Sequence, residues 1–449
     1  MAEIGETILR HFDVAVIVFP LSLFMLATGF FLSRRLQFIQ LRHFFLTVRT
    51  TLGSLLVKKE RLPAGEITPF QALSTALAAT VGTGNIAGVA TAIYLGGPGA
   101  VFWIWVSAFL GMATKYSEIL LAVHYRTRIK NEIVGGPMYY LAGGLKSPLM
   151  AVLFALFGSL AAFGIGNMVQ ANSVADAVQA SFGVPAFLTG LLLSFFSALI
   201  ILGGIRRIAR VASALVPLMA FFYVAGSLII LISFRQQLPG VLVDIFASAF
   251  RGRAAAGGFA GATVLGAWRY GISRGIFTNE AGLGSAPIAH AAARTPHPVS
   301  QGLWGIMEVF IDTHFICTLT ALVLLATGAW QTGLEGASMA VEAFNRGLPG
   351  NAGHYVVSLG LIFFAFTTLL SWSYYGEKCL EYLLGNRAVR FYRFLWIILI
   401  FIGAVSHLQA IWTAADILNG LMALPNLVGL LGLSGVICRI TKDYFCKRD

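Results

Sequence analysis

The sequence predicts an all-α integral membrane protein with about eleven transmembrane helices. Its 449 residues are 57% hydrophobic and only 11% charged, with a mean hydropathy of +0.80, whereas soluble domains carry about 25% charged residues. Apolar runs near the 20 or so residues that one membrane crossing needs recur along the whole chain. Lysine and arginine are also distributed unevenly between alternate loops, which sets one topology. We therefore treat residues 1–449 as a single transmembrane domain.

Eleven apolar segments carry this prediction. They lie at residues 14–33, 70–94, 99–124, 149–180, 185–203, 211–234, 260–291, 301–329, 354–384, 391–406 and 410–438. The first is an extra N-terminal helix, and the others are numbered here as core helices one to ten. Residues 70–234 then form a first unit of five helices, and residues 260–438 form a second.

The basic residues indicate the orientation of the chain, because they concentrate in cytoplasmic loops. If the N-terminus is outside, 23 of the 31 Lys and Arg residues lie in inner segments and 5 in outer segments. The C-terminus is then cytoplasmic, and the net charge of +12 reflects topology rather than nucleic-acid binding. Residues 239–253 and 330–352 are expected as outer loops, and residues 135–146 as an inner loop or short surface helix.

Two of the predicted spans contain polar, glycine-rich interruptions. Residues 80–85 read TVGTGN in core helix one, and residues 275–285 read GIFTNEAGLGS in core helix six. A broken helix frees backbone amides and carbonyls that can bind a carboxylate or Na⁺ beside a cavity. Glycines can instead serve close helix packing. Two interruptions five helices apart favour an inverted-repeat transporter, in which such pairs mark the binding site.

Several long motifs resemble the alanine/glycine–cation symporter family. They are QALSTALAATVGTGNIAGVATAI, GGPGAVFWIWVSAFLGMATKYSE, GGPMYY, FGIGNMVQANSVADAV, GIFTNEAGLGSAPIAHAA and LSWSYYGEKCLEYL. The resemblance covers nearly the whole chain, from about residue 14 to residue 438. It implies a LeuT-type five-plus-five inverted repeat with one additional helix. It also implies sodium-coupled import of small neutral amino acids, mainly alanine or glycine, across the plasma membrane of a prokaryote.

The resemblance further implies a substrate site at the two interruptions. The residues expected there are Gly82, Thr83, Gly84, Asn85, Thr278 and Asn279. In core helix one, the backbone amides of Thr83 and Gly84 would face the substrate carboxylate. In core helix six, the polar side chains would meet the amino group or complete a shared polar shell.

Two further side chains are candidates for the substrate pocket. Gln170 of core helix three both donates and accepts hydrogen bonds, which suits an amino acid, but it could instead join two helices. Asn167, three residues earlier on the same face, is expected to join helices. Trp372 of core helix eight would wall the pocket and limit the size of the substrate, or it could serve packing alone.

In this fold a sodium site forms between core helices one and eight. The expected ligands are the carbonyl oxygens of Ala78, Val81 and Phe364 and the hydroxyls of Thr367 and Thr368. Two adjacent hydroxyls are weak support by themselves, because threonine often bonds its own helix. Na⁺ is therefore the expected co-transported ion, with no organic cofactor. Membrane lipid and the amino acid are the other expected partners.

Charged residues within membrane spans are functional candidates by default. Glu280 either serves the site or pairs with Arg274 or Arg269, and the sequence leaves both possibilities open. Lys115 and Glu118 lie three residues apart on one helix face and are expected to pair.

Three classes of function compete for a chain of this kind. A channel usually repeats its filter motif, whereas the two interruptions here differ. A membrane enzyme needs a zinc site, a serine–histidine arrangement or paired carboxylates, and the sequence shows none of these. Secondary active transport is therefore the prediction. The alternative is a proton-coupled carrier of another small solute on the same fold.

Overall fold

The computed structural model describes residues 19–55, 66–129, 132–251, 264–406 and 409–446. Residues 14–18 of the first predicted span and residues 260–263 of core helix six lie outside these ranges. The predicted position of the N-terminus also falls outside them. The described chain is helical apart from one two-stranded hairpin and its connecting segments.

The first half of the chain contains ten helices and the hairpin among its described residues. They are α1 (Phe19–Arg35), α2 (Ile39–Arg42), α3 (Phe44–Thr50), a 3-10 turn (Leu52–Leu55), α4 (Pro69–Thr80), α5 (Gly84–Gly96), α6 (Gly99–His124), β1 (Thr127–Ile129), β2 (Glu132–Val134), α7 (Pro137–Gly143), α8 (Pro148–Phe182), α9 (Ala186–Ile201) and α10 (Gly204–Ser233).

The second half continues in the same way through its described residues. Its elements are α11 (Leu238–Phe250), α12 (Val264–Asn279), α13 (Ala286–Ala291), α14 (Pro298–Ala326), a 3-10 turn (Ala329–Gln331), α15 (Gly336–Gly347), α16 (Ala352–Leu384), α17 (Arg387–Val405), α18 (Gln409–Gly432) and α19 (Ser434–Cys446).

Seven of the described helices are long and apolar enough to cross a membrane, and joining α4 to α5 across a 54° bend gives an eighth. The seven are α6, α8, α10, α14, α16, α17 and the Ala414–Gly432 part of α18. Helix α9 is apolar but shorter, and core helix six is divided between α12 and α13. These helices make the chain a multi-pass membrane protein.

Three regions differ from the predictions. Residues 239–253 and 330–352, expected as outer loops, contain helices α11 and α15. Both helices bury one face, whose apolar residues recur at helical spacing. The last span, predicted for residues 410–438, ends at Gly432, and α19 begins separately at Ser434. Helix α19 carries basic residues, which are unfavourable inside a bilayer.

Local chemistry sets both ends of α4. The Thr68 side chain accepts a hydrogen bond from the Gln71 amide, and the Gln71 side chain accepts one from the Thr68 amide. This capping box and Pro69 at the first helical position fix where the helix begins. The helix ends at Thr80 because Val81 is extended, with φ −73° and ψ 96°.

Three π-helical segments interrupt helices in the part of the chain that the structure describes. They are Gly84–Gly88 in α5, Gly164–Met168 in α8 and Phe310–Cys317 in α14. Such segments are rare and occur frequently at functional sites. Two of them are in direct contact, because Asn85 in the first donates a hydrogen bond to Asp312 in the third.

Hydrogen bonds connect the hairpin of β1 and β2 to the segment before core helix one, and connect that segment to the end of core helix six. The Ile133 amide donates to Glu66 Oε1 at 3.0 Å, and the Glu66 amide donates to the Ala292 carbonyl at 2.9 Å. The Arg126 guanidinium donates to the Ala293 carbonyl at 2.8 Å. These bonds close one end of the bundle.

Candidate functional site

The interruption of core helix one is held open by hydrogen bonds from its own residues. Beyond the extended Val81, the Gly82 amide donates to Asn85 Oδ1 at 2.8 Å. Gly84 lies directly beside core helix six, since a Cβ on Gly84 would be 3.5 Å from the Thr278 hydroxyl. The two interruptions predicted from the sequence therefore meet in space.

The interruption of core helix six depends on left-handed backbone conformations. Gly282 and Gly284 have φ values of 101° and 83°, which glycine adopts without strain. Glu280 has a φ of 54°, an uncommon conformation for a residue with a side chain. Asn279 Oδ1 accepts a hydrogen bond from the Ala281 amide at 3.0 Å, which stabilises the turn.

A cavity of about 690 Å³ reaches the interruption of core helix one. Thr83 and the first turns of α5 form part of its wall, and helices α8, α12, α15 and α16 and Leu334 supply the rest. The charged residues and histidine in its wall are Asp176, Arg274, Glu342 and His354. The cavity thus reaches the backbone that the family resemblance assigns to the substrate.

Oxygen atoms from α4 and α16 converge beside this backbone. The Thr368 hydroxyl lies 3.0 Å from the Ala78 carbonyl oxygen and 2.9 Å from the Phe364 carbonyl oxygen. The Thr367 hydroxyl donates to the same Phe364 carbonyl at 3.0 Å. Gly82 is adjacent, because a Cβ there would be 3.5 Å from the Thr368 hydroxyl. Four of the five expected sodium ligands, Ala78, Phe364, Thr367 and Thr368, are thereby in hydrogen-bond contact with one another.

Other candidate side chains do not line the cavity and form hydrogen bonds within the protein. Within the described chain, the cavity wall includes neither Gln170 nor Trp372. Gln170 donates to the Ile165 carbonyl of its own helix at 2.9 Å. The Thr278 hydroxyl donates to the Arg274 carbonyl at 2.6 Å. Their access to a substrate therefore requires a rearrangement of the site.

Comparison with known sequences decides the family. A profile of the sodium:alanine symporter family matches residues 1–449. The chain belongs to this family. The sodium/alanine symporter AgcS of Methanococcus maripaludis is 48% identical over 94% of this chain and 93% of its own length. An uncharacterized transporter of Haemophilus influenzae is 50% identical over 98% of this chain and 96% of its own length.

Family membership confirms the resemblance found in the sequence. It identifies the chain as a member of a family of transporters rather than enzymes, with alanine and Na⁺ as the implied cargo. A crystal structure of the manganese transporter of Eremococcus coleocola matches with a TM-score of 0.54 at 16% identity. The match covers 83% of this chain and 78% of that chain, and it shows a shared, LeuT-like fold.

This symporter-family chain carries a buried cluster of charges whose pairing differs from the prediction. Lys115 Nζ lies 3.1 Å from Glu308 Oε1 instead of pairing with Glu118. Glu118 accepts hydrogen bonds from the Gly282 amide and from Asn426. Lys115 and Glu118 share a helix face, but packing brings α14 close enough to supply the counter-ion.

Glu280 also has different partners from those considered in the sequence. Its carboxylate accepts hydrogen bonds from the Ser285 hydroxyl at 2.5 Å and from Trp372 Nε1 at 3.2 Å. Arg274 instead lines the cavity, and Arg269 stacks on the rings of Phe19 and Tyr270. No sequence spacing links Glu280 to Trp372, so this contact could not be foreseen.

Sequence reasoning assigned no site role to Asp312 and His290. Asp312 is fully buried and accepts hydrogen bonds from Asn85 and from the Thr313 hydroxyl. His290 lies 3.2 Å from Glu308. An acidic residue inside an apolar span is a signal of function, and that signal was present for Asp312.

At the closed end of the bundle, ion pairs join strand β2, which lies outside the membrane spans, to the end of α16. Lys378 Nζ lies 2.6 Å from Glu132 of β2 and 2.7 Å from Glu381. Partial burial alone raises the pKa of the Glu132 carboxyl, but the hydrogen bond and charge of Lys378 outweigh it. The pKa of Glu132 is therefore held below its usual value. The pair keeps the hairpin against α16.

Proposed function

We propose that this protein is a sodium-coupled secondary active symporter that imports small neutral amino acids, alanine or glycine, by alternating access. The observation that carries the proposal is the convergence of Ala78, Phe364 and Thr368 oxygens beside the interruption of core helix one. Freed carbonyls of broken helices coordinate Na⁺ in transporters of this architecture. Val81 and Thr367 are proposed to complete the ligand set.

The substrate would bind next to this ion. The amide groups of Thr83 and Gly84 begin a half-helix whose positive end attracts a carboxylate. The cavity that reaches these two residues supports this assignment. Thr278, Asn279 and Gln170 are proposed to contact the amino group after a rearrangement, and Trp372 to limit side-chain size.

The proposed topology has eleven spans, an outer N-terminus and a cytoplasmic C-terminus in a prokaryotic plasma membrane. The 14–33 helix precedes two inverted units, residues 70–234 and 260–438. In this orientation the hairpin faces the cytoplasm and the cavity opens outward. The distribution of lysine and arginine supports this orientation.

Uptake of labelled alanine into proteoliposomes of the purified protein tests the proposal. An inward gradient of Na⁺, K⁺ or protons would be imposed separately. We expect accumulation with the Na⁺ gradient alone, and inhibition by excess glycine. Accumulation that is equal with K⁺, or absent with every gradient, would overturn the proposal.

A proton-coupled carrier is the second candidate, favoured by one observation. Glu118, Glu280 and Glu308 all interact electrostatically with one buried ammonium, that of Lys115, and His290 lies 3.2 Å from Glu308. An excess of buried carboxylates is costly unless some bind protons. Alanine uptake that follows a proton gradient without Na⁺, and that is lost in Glu280→Gln, would favour this candidate.

A further inference from the structure

A second cavity lies at the end of the bundle where the hairpin meets α16, away from the proposed substrate site. It encloses about 410 Å³ between the end of α16, the start of α17 and strand β2. Its charged residues are Glu132, Glu377, Lys378, Glu381, Arg387, Arg390 and Arg393. We refer to it as the basic cleft.

Each of the three acidic side chains of the basic cleft contacts a cationic side chain, and Lys378 is shared by two of them. Lys378 pairs with both Glu132 and Glu381. Arg393 makes two hydrogen bonds to Glu377, at 2.6 and 2.9 Å. No carboxylate of the cleft is therefore left without a cationic partner.

Two arginines of the cleft remain available. Within the ranges that the structure describes, neither Arg387 nor Arg390 has an ion pair or a side-chain hydrogen bond. They lie three residues apart on α17 and line the same cavity. A guanidinium presents several N–H donors in a fork that matches the geometry of a phosphate.

The surroundings of the cleft indicate where such a phosphate would come from. Leu384, Phe391 and Phe394 flank it and are 68%, 66% and 64% exposed. In a membrane-spanning helix, side chains of this kind face the acyl chains of lipid. The two free guanidinium groups thus lie at the level where an apolar surface gives way to a charged one.

We propose that the basic cleft binds the headgroup of an anionic phospholipid. The phosphate would lie between Arg387 and Arg390, while the acyl chains would lie along the exposed leucine and phenylalanines of α16 and α17. Basic pockets between transmembrane helices bind anionic headgroups by the same combination of charge and apolar contact. Among the described residues, the cleft shares no lining residue with the proposed substrate cavity.

Lipid binding to the purified full-length protein tests this site. Native mass spectrometry and thermal unfolding in neutral detergent would be followed with added phosphatidylglycerol or phosphatidylcholine of the same acyl chains. The variant R387Q/R390Q removes both guanidinium groups. The matched control, R128Q/R210Q, removes two exposed arginines of β1 and α10 that do not line the cleft.

We expect phosphatidylglycerol to bind more tightly than phosphatidylcholine and to raise the unfolding temperature. The preference should fall about fivefold for each arginine removed and persist in R128Q/R210Q. Equal binding of the two lipids to the wild-type protein would overturn the proposal. An undiminished preference in R387Q/R390Q would do the same.

Two further experiments cover a double variant that does not fold and a cleft that binds a free anion instead of a lipid. If the double variant does not fold, the single variants R387Q and R390Q are compared, and each should lose part of the preference. Inorganic phosphate is added to the lipid-free protein in a parallel series. If it stabilises the protein as much as phosphatidylglycerol and displaces that lipid, the cleft binds a free anion and the lipid assignment is wrong.

Discussion

The side-chain amide of Asn85 joins the interruption of core helix one to Asp312 of α14. Its Nδ2 lies 2.8 Å from Asp312 Oδ1 and 3.1 Å from the Asp312 carbonyl oxygen. Its Oδ1 accepts a hydrogen bond from the Gly82 amide. One side chain therefore uses both its donor and its acceptor to fix the shape of the interruption.

Replacing Asn85 by aspartate should impair transport. The substitution keeps the acceptor for Gly82 but removes the donor and places a second carboxylate against Asp312. Loss of a buried hydrogen bond to a charged group costs about 1.5–3 kcal/mol, so the initial uptake rate should fall by about 10- to 100-fold. Initial rates of alanine uptake in proteoliposomes measure this effect.

The matched control for this change is Asn172→Asp. Asn172 donates to the Ser406 carbonyl at 3.1 Å, away from the interruption. Its variant should transport at close to the wild-type rate. If Asn85→Asp also retains that rate, the bond to Asp312 has no part in transport.

Thr368 offers a direct test of the proposed sodium site. Thr368→Ala removes an oxygen that lies within 3.0 Å of two carbonyl oxygens, whereas Thr368→Ser retains it. The Na⁺ concentration for half-maximal uptake should rise at least about tenfold in the alanine variant, equivalent to about 1.4 kcal/mol. The serine variant should stay near wild type. A serine variant as impaired as alanine would point to packing instead of coordination.

The buried pair of Lys115 and Glu308 should stabilise the fold only while both partners are present. Lys115→Met or Glu308→Gln alone should cost about 3–5 kcal/mol, because each removes the closest counter-charge of a buried group. The double variant should recover part of this loss. A double-mutant cycle of unfolding free energies in detergent measures the coupling, and strictly additive losses would contradict it.

Gly166 is required by the position of Trp372. A Cβ on Gly166 would overlap the tryptophan side chain, with Cδ2 at only 2.9 Å. Gly166→Ala should therefore destabilise the protein by about 1–3 kcal/mol. Gly435→Ala is the control, since a Cβ there meets nothing within 4 Å. The unfolding temperatures of the two variants should differ, and equal values would show that Trp372 can move aside.

The ion pair between Glu132 of the hairpin and Lys378 of α16 should weaken in acid. Because the folded-state pKa of Glu132 is lowered, its stabilising effect is present above the usual value of 4.5 and is lost as the pH falls through the lowered pKa. The wild-type protein should unfold at a higher temperature than Glu132→Gln at pH 7. This difference should shrink towards zero below pH 4.5, and a difference that grows on acidification would contradict the ion pair.

Local sequence patterns predicted much of the fold. Helix α6 spans residues 99–124 as expected, because a single long apolar run defines it. The glycines and polar residues at 80–85 and 275–285 also predicted where core helices one and six break. These features depend on residues that are neighbours in the chain, and periodicity and conformational preference report on them directly.

The partners of the buried charges could not be predicted in the same way. Lys115 and Glu308 are separated by nearly two hundred residues, and Glu280 and Trp372 by 92. Their contacts depend on how α6, α12, α14 and α16 pack, which no single segment encodes. The cavity wall contributed by α15 was missed for the same reason, since its residues were expected in a loop.

The π-helical segments have a consequence for motion within the bundle. A π turn holds one more residue than the α turn it replaces, and each residue of an α-helix rotates the chain by about 100°. The extra residue can shift from one turn of the helix to the next. The side chains between the old and the new position of the π turn then rotate about the helix axis, while both ends of the helix stay in place. Asn85 and Asp312 both lie in such segments. At Gly84–Gly88, which reaches the cavity, such a shift would change the residues that face the cavity without unfolding the helix or displacing its ends.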